Sequence, residues 1–199
     1  MSSIFEPLKM ITATPFYLEG ENIDTDQILP AKFLSITSRD GLAGTAFYDW
    51  RHDDKGDIIE GHKLNQLSGQ DRRIFIVDKN FGCGSSREHA QWALYSYGVR
   101  VIIGEAIADI FKSNCLKNGI AAISLNAGEI KKIKTLAGVE LTVDLQSKHI
   151  VMKKNAAIPF QMDALSRKCL IAGTDQLSIL MEAKHEIISY ENNRSIYSD

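Results

Sequence analysis

The chain has 199 residues, 44% of them hydrophobic and 24% charged, a balance that suits one globular core and excludes extended disorder. Its 23 basic and 25 acidic side chains are interspersed and leave a net charge of −2, so no electrostatic footprint favours nucleic acid or an anionic membrane surface. Apolar runs fall far short of the roughly 20 residues that cross a bilayer, and the opening MSSIFEPLKM lacks a secretory or transit pattern; a cytoplasmic location is the expectation.

Taken in order, Ile11 to Thr14 and Phe16 to Leu18 read as short strands bent at Pro15. Next comes N-I-D-T-D-Q-I-L-P-A-K-F-L, from Asn22 to Leu34. Its paired aspartates, Asp24 and Asp26, point the same way if the segment is extended. Such a pair either orients a cation or accepts local backbone hydrogen bonds in a turn. From about 35 to 69 the periodicity breaks up around five glycines, the pattern of an irregular, mobile loop. Within it F-Y-D-W, Phe47 to Trp50, either pins the loop to the core or faces a partner.

The best-marked stretch follows. The apolar run Ile74 to Val77 predicts a strand, N-F-G-C-G-S-S-R a glycine-rich loop, and Ala90, Ala93, Leu94 and Tyr97 one face of a helix. Ser85 with Glu88 three residues later has the spacing of a capping box, and Gly98 supplies the stop. A helix start presents unpaired N–H groups and the positive end of a macrodipole, and Arg87 adds a planar cation, so the junction predicts an anion site. Gly82 and Gly84 let a ligand approach the main chain.

Beyond it, Val99 to Ile103 predicts a second buried strand, Glu105 to Asn118 a helix with the stripe Ile107, Ile110 and Phe111, and Ile120 to Leu125 a third strand. Asn114 falls on that stripe and needs partners there, either tying down a loop or lining a site. Strand, helix, strand, helix, strand predicts parallel pairing. Leu141 to Leu145 and His149 to Met152 read as a hairpin; Met162 to Ile171 and Asp175 to Tyr190 read as a helical tail over about 160–192, and the last residues as a frayed end. With no linker or repeat, residues 1–199 are read as a single domain. Cys83, Cys115 and Cys169 are odd in number and widely spaced, which fits reduced thiols, and no metal-ligand spacing occurs.

The blocks N-I-D-T-D-Q-I-L-P, N-F-G-C-G-S-S-R-E-H-A, G-E-A-I-A-D-I-F-K-S-N-C-L-K-N-G-I and R-K-C-L-I-A-G resemble, in order and over nearly the whole length, the small subunits of 3-isopropylmalate dehydratase, relatives of the mobile swivel domain of aconitase. The resemblance implies an α/β fold, an aconitase swivel-like β/β/α domain with a mostly parallel central sheet flanked by helices. It implies a hydro-lyase that interconverts 2- and 3-isopropylmalate by dehydration and rehydration in leucine biosynthesis, active only with a large subunit. The 4Fe-4S cluster is expected in that partner, with no cofactor or metal held by this chain, and the substrate is a small hydroxy dicarboxylate.

By the same resemblance Ser85 is the catalytic base, Ser86 and Arg87 bind substrate, and Asp26 matches a polar position of the site. Phe33 and Leu34, in the segment that follows D-T-D, are expected beside the substrate's apolar branch, and Gly82, Gly84, Asn114 and Asn118 support the loop. A capping Ser85 would have less freedom to take a proton, so backbone donors are expected to stabilise its alkoxide. The segment departs from the family's Y-L-R-T, which leaves homoaconitate, citraconate and dimethylmalate as alternative substrates. A stand-alone anion-binding module is the other reading.

Overall fold

The fold was obtained as a computed structural model and is described for residues 4–42, 44–135, 138–152 and 156–193. It contains two four-stranded sheets. One is wholly parallel, in the order β2 (Phe16–Leu18), β3 (Ile74–Val77), β4 (Val101–Gly104) and β5 (Ala121–Ser124). The other is wholly antiparallel, in the order β1 (Met10–Ala13), β6 (Leu141–Asp144), β7 (His149–Val151) and β8 (Ala157–Pro159). The expected parallel sheet is therefore joined by a second one, to which the predicted hairpin contributes two strands.

The two sheets explain two kinds of sequence. Strands β3 and β4 are buried along their full length, so both faces are apolar and no alternation shows. Phe75, Val77 and Ile102 face a core shared with Ala90, Leu94, Phe111 and Cys115 of the crossover helices. Ile74, Ile76, Val101 and Ile103 face a second core shared with Ile11, Val143, Ile150 and Ile158 of the antiparallel sheet. Strand β1 alternates exposed and buried residues, as one covered face requires.

The helices depart from expectation mainly at their ends. Short helices α1 (Thr25–Ile28), α2 (Tyr48–Arg51) and α3 (Lys63–Gln66) precede α4 (Glu88–Tyr97), which Gly98 closes in a left-handed conformation. The next helix, α5, spans Asp109–Lys117 rather than starting at Glu105, because Ala108 N–H donates to Phe81 O at 3.0 Å and holds the approach extended. Helix α6 (Ala127–Lys134) was not expected, although Asn126 and Glu129 form a full capping box. Helix α7 (Ala164–Ala172) is followed by α8 (Gln176–Glu182) and α9 (Lys184–Asn193), so the last predicted helix is broken at Ala183. Of the end expected to fray, E-N-N-R-S-I-Y-S-D at 191–199, the first three residues continue α9, and 194–199 lie outside the described residues.

The segment from 35 to 69 is packed on the core, with Leu42, Ala46, Phe47 and Leu64 almost wholly buried. Phe47 stacks on Trp50 and Phe75, so the F-Y-D-W knot pins the segment inward. Arg51, itself buried, donates to Asn65 Oδ1 at 2.7 Å and to the carbonyls of Gly44 and Ala46 at 3.1 and 3.0 Å. Burial holds its guanidinium below the ordinary arginine value. Among the described residues no helix is long and apolar enough to cross a membrane.

Candidate active site

Past the ends of β2 and β3 the two chains continue side by side. Asn22 N–H donates to Lys79 O at 2.9 Å, Gly82 N–H to Ile23 O at 2.7 Å and Thr25 N–H to Cys83 O at 2.9 Å. Asn22 and Asn80 both adopt left-handed backbone and are tied by a hydrogen bond that Asn80 Nδ2 donates to Asn22 Oδ1 at 2.8 Å. The base of this double loop is fixed by Asp78, which accepts from Gly20 N–H at 2.9 Å, from the Tyr17 hydroxyl at 2.7 Å and from Lys134. Burial opposes ionisation of Asp78 most strongly, yet the bonds from Lys134, Gly20 and Tyr17 outweigh it and hold the carboxyl below its ordinary value.

The double loop delivers both sequence motifs to one place. Asp24 caps α1, accepting from Gln27 N–H at 2.8 Å while Gln27 Oε1 accepts from Asp24 N–H at 2.9 Å. Because the segment is helical rather than extended, Asp26 points elsewhere and accepts from Arg87 Nη1. The two aspartates thus divide the alternatives, one serving its own backbone and the other a distant cation.

Gly82 has φ +75° and lies so close to Phe111 that a Cβ would stand 2.2 Å from its Cγ. Gly84, at φ +92°, leaves the chain free to press on Thr25, whose Oγ1 would be 3.3 Å from an added Cβ. After them Ser85, Ser86 and Arg87 line a cleft of about 350 Å³, open to solvent, with Gln91, Ile110, Phe111 and Asn114 on its other sides. That size suits a small organic ligand.

The expected Ser85–Glu88 capping box does not form. Helix α4 begins at Glu88 with extended Arg87 as its cap residue, and no side chain caps it. Ser85 stands too early and is engaged by Thr25, whose hydroxyl donates to Ser85 O at 3.2 Å and lies 3.4 Å from Ser85 Oγ. The start of α4 therefore carries no side-chain cap, and its cap residue Arg87 lines the cleft.

Asn114 lines the cleft at its α5 wall, and buried Asn118 connects its surroundings. Asn118 Oδ1 accepts from Arg39 Nη2 at 2.6 Å and Trp92 Nε1 at 2.9 Å, while its amide donates to Asn114 O at 2.9 Å. Arg39, which the sequence did not single out, thus docks the 35–47 segment onto α5. Ile110 is 61% exposed, not part of the buried stripe, because it sits at the cleft. Phe33 and Leu34 do not line this cleft: both are half-buried against the core, with Phe33 edge-on to Tyr48 at 4.9 Å.

Cys83 lines the cleft, whereas Cys115 and Cys169 are buried in α5 and α7, where burial raises both thiols. Among the described residues no group of three His, Cys, Asp or Glu side chains is placed to hold a metal ion.

Residues 8–128 match the aconitase C-terminal domain. The chain is 42% identical over 185 residues to the 3-isopropylmalate dehydratase small subunit of Pelagibacter ubique, covering 92% of this chain and 91% of that one. It is 38% identical over 189 residues to the protein of the same name from Anaeromyxobacter dehalogenans, covering 95% and 99%. The crystal structure of a 3-isopropylmalate dehydratase from Methanocaldococcus jannaschii superposes with a TM-score of 0.64 at 28% identity, over 92% of this chain and 99% of the other. The matched span carries both halves of the double loop, and the agreement extends through the antiparallel sheet; the chain belongs to the family of 3-isopropylmalate dehydratase small subunits.

Proposed function

We propose that this chain is the small subunit of a cytoplasmic hydro-lyase that interconverts 2-isopropylmalate and 3-isopropylmalate, with Ser85, Ser86 and Arg87 as its contribution to a site shared with a large subunit. The observation that carries the reading is the convergence of Arg87, two serines and the uncapped start of α4 on one open cleft. The 4Fe-4S cluster belongs to the partner; bound there, it supplies a Lewis acid for the substrate.

What this chain does follows from its own groups. Arg87, aimed by Asp26, presents a planar fork to a substrate carboxylate, and Ser86 adds a hydroxyl donor. Ser85, as its alkoxide, removes the proton from the carbon beside that carboxylate. The C–H bond breaks, an O–H bond forms on Ser85, and the electron pair becomes the carbon–carbon double bond as the C–O bond of the neighbouring carbon breaks; the departing hydroxide takes a proton from solvent and leaves as water. Rehydration at the other carbon reverses these steps and returns the proton from Ser85. The positive field of Arg87 and the α4 N-terminus favours the alkoxide. Residues 1–199 act as one unit in this reading, and Asn114, Asn118, Gly82 and Gly84 hold its loop.

The test is anaerobic co-expression with a cluster-bearing large subunit, followed by isopropylmalate turnover by each chain and the pair. Turnover by the pair alone, lost with Arg87→Lys, is expected. A stable complex that turns over citraconate or homoaconitate and neither isopropylmalate would overturn the substrate assignment.

A further inference from the structure

Thr25 is 1% exposed, and its hydroxyl has two acceptors within reach, both on Ser85: the carbonyl at 3.2 Å and Oγ at 3.4 Å. Thr25 carries one hydroxyl hydrogen, so while it serves Ser85 O the neutral Ser85 hydroxyl is free to donate to Thr25 Oγ1, and only the alkoxide must accept. The threonine backbone is fixed from both sides, by its N–H to Cys83 O and by Leu29 N–H to its own carbonyl, each at 2.9 Å. A side chain at position 84 would press on Thr25 Oγ1, and Gly84 at φ +92° leaves that approach open. Ser85 itself is exposed toward the cleft, with the buried threonine beneath it.

Resting on Ser85 as the base, we propose that Thr25 is the positioning residue that stabilises its alkoxide, by passing its hydrogen bond from Ser85 O to Ser85 Oγ when that oxygen loses its proton. The Ser85 proton leaves to solvent before turnover; the hydrogen that moves between acceptors stays bonded to Thr25 throughout. The bond to Oγ is long in the uncharged state and shortens once the acceptor is ionised, because a charged acceptor draws a donor closer. The β-branched side chain restricts rotation of the hydroxyl, which keeps both acceptors in range. The cleft face of Ser85 remains open to the substrate proton.

The experiment compares complexes of the large subunit with wild-type, Thr25→Val, Thr25→Ser and Ser85→Ala chains, recording kcat, KM and the pH profile of kcat. Thr25→Val is expected to lower kcat about 10- to 100-fold with KM within about twofold, and to move the rising limb of the profile up by about one pH unit. Thr25→Ser is expected to restore kcat and the profile. A Thr25→Val complex with the wild-type profile, or no rescue by serine, overturns the role of Thr25. Turnover by Ser85→Ala overturns instead the base assignment on which it rests. Should the valine chain fail to assemble, Thr25→Cys, a weak donor of similar volume, is read in the same way, and a wild-type profile there is equally fatal.

Discussion

Arg87 donates to the Asp26 carboxylate and so joins the start of α4 to the first turn of α1 across 61 positions of sequence. In the proposed site the aspartate therefore acts on substrate through the arginine. Asp26→Asn is expected to raise KM about tenfold while leaving assembly with the large subunit intact. Steady-state kinetics and gel filtration on the complex check it, and an unchanged KM would remove Asp26 from the site.

Ser85 makes no helix cap, whereas Asn126 does. Ser85→Ala is expected to change stability by less than about 0.5 kcal/mol, and Asn126→Ala to lower it by about 1 kcal/mol. Urea unfolding of the isolated chains separates the two. A large loss in Ser85→Ala would return that residue to a structural role.

At Gly82 the backbone is left-handed and Phe111 occupies the space of a side chain. Gly82→Ala adds a clash to an unfavourable φ and is expected to cost about 2–4 kcal/mol, or to displace the loop and abolish turnover. Thermal melting with an activity assay detects either result; a variant that keeps both stability and activity would show that the loop yields at no cost.

Asp78 and Lys134 predict opposite pH limbs. The folded Asp78 carboxyl lies below 3.8, so its contribution is present above the unfolded value and is lost as pH falls through the folded one. Burial resists the charge on Lys134 most, but bonds to Asp78 and Tyr17 raise it above 10.5, so its contribution is present below that value and lost as pH rises through the folded one. Asp78→Asn is expected to cost about 2 kcal/mol at pH 7 and to flatten the fall in stability below about pH 4. Urea midpoints from pH 2 to 7 measure this, and an unchanged acid limb would refute it.

The central β/α order was legible because β3 and β4 are buried on both faces and announce themselves as unbroken apolar runs. The role of Ser85 at the helix start was not. Its spacing to Glu88 satisfies a local rule, but the partner that claims it, Thr25, is 60 positions upstream. Asp24 and Asp26 are chemically the same in sequence and differ only because α1 turns one back on its own amide and the other toward Arg87. Helix α6 carried a readable signal in Asn126 and Glu129, while β8 is three residues long and ends in Pro159, too short to show a period. Arg39 gave no local sign, since its meaning is the docking onto Asn118.

Strands β1 and β2 adjoin in sequence but pair in different sheets, and β1 meets its neighbour only through residues such as Thr142, 130 positions after Thr12. On the ribosome the parallel sheet has all its strands once β5 at 121–124 has emerged, while β1 waits for β6. Until then the inner face of the parallel sheet, with Ile74, Ile76, Val101 and Ile103, has no antiparallel sheet to cover it. The growing chain thus carries its greatest aggregation hazard after its glycine-rich loop has been made and before its last third has been added.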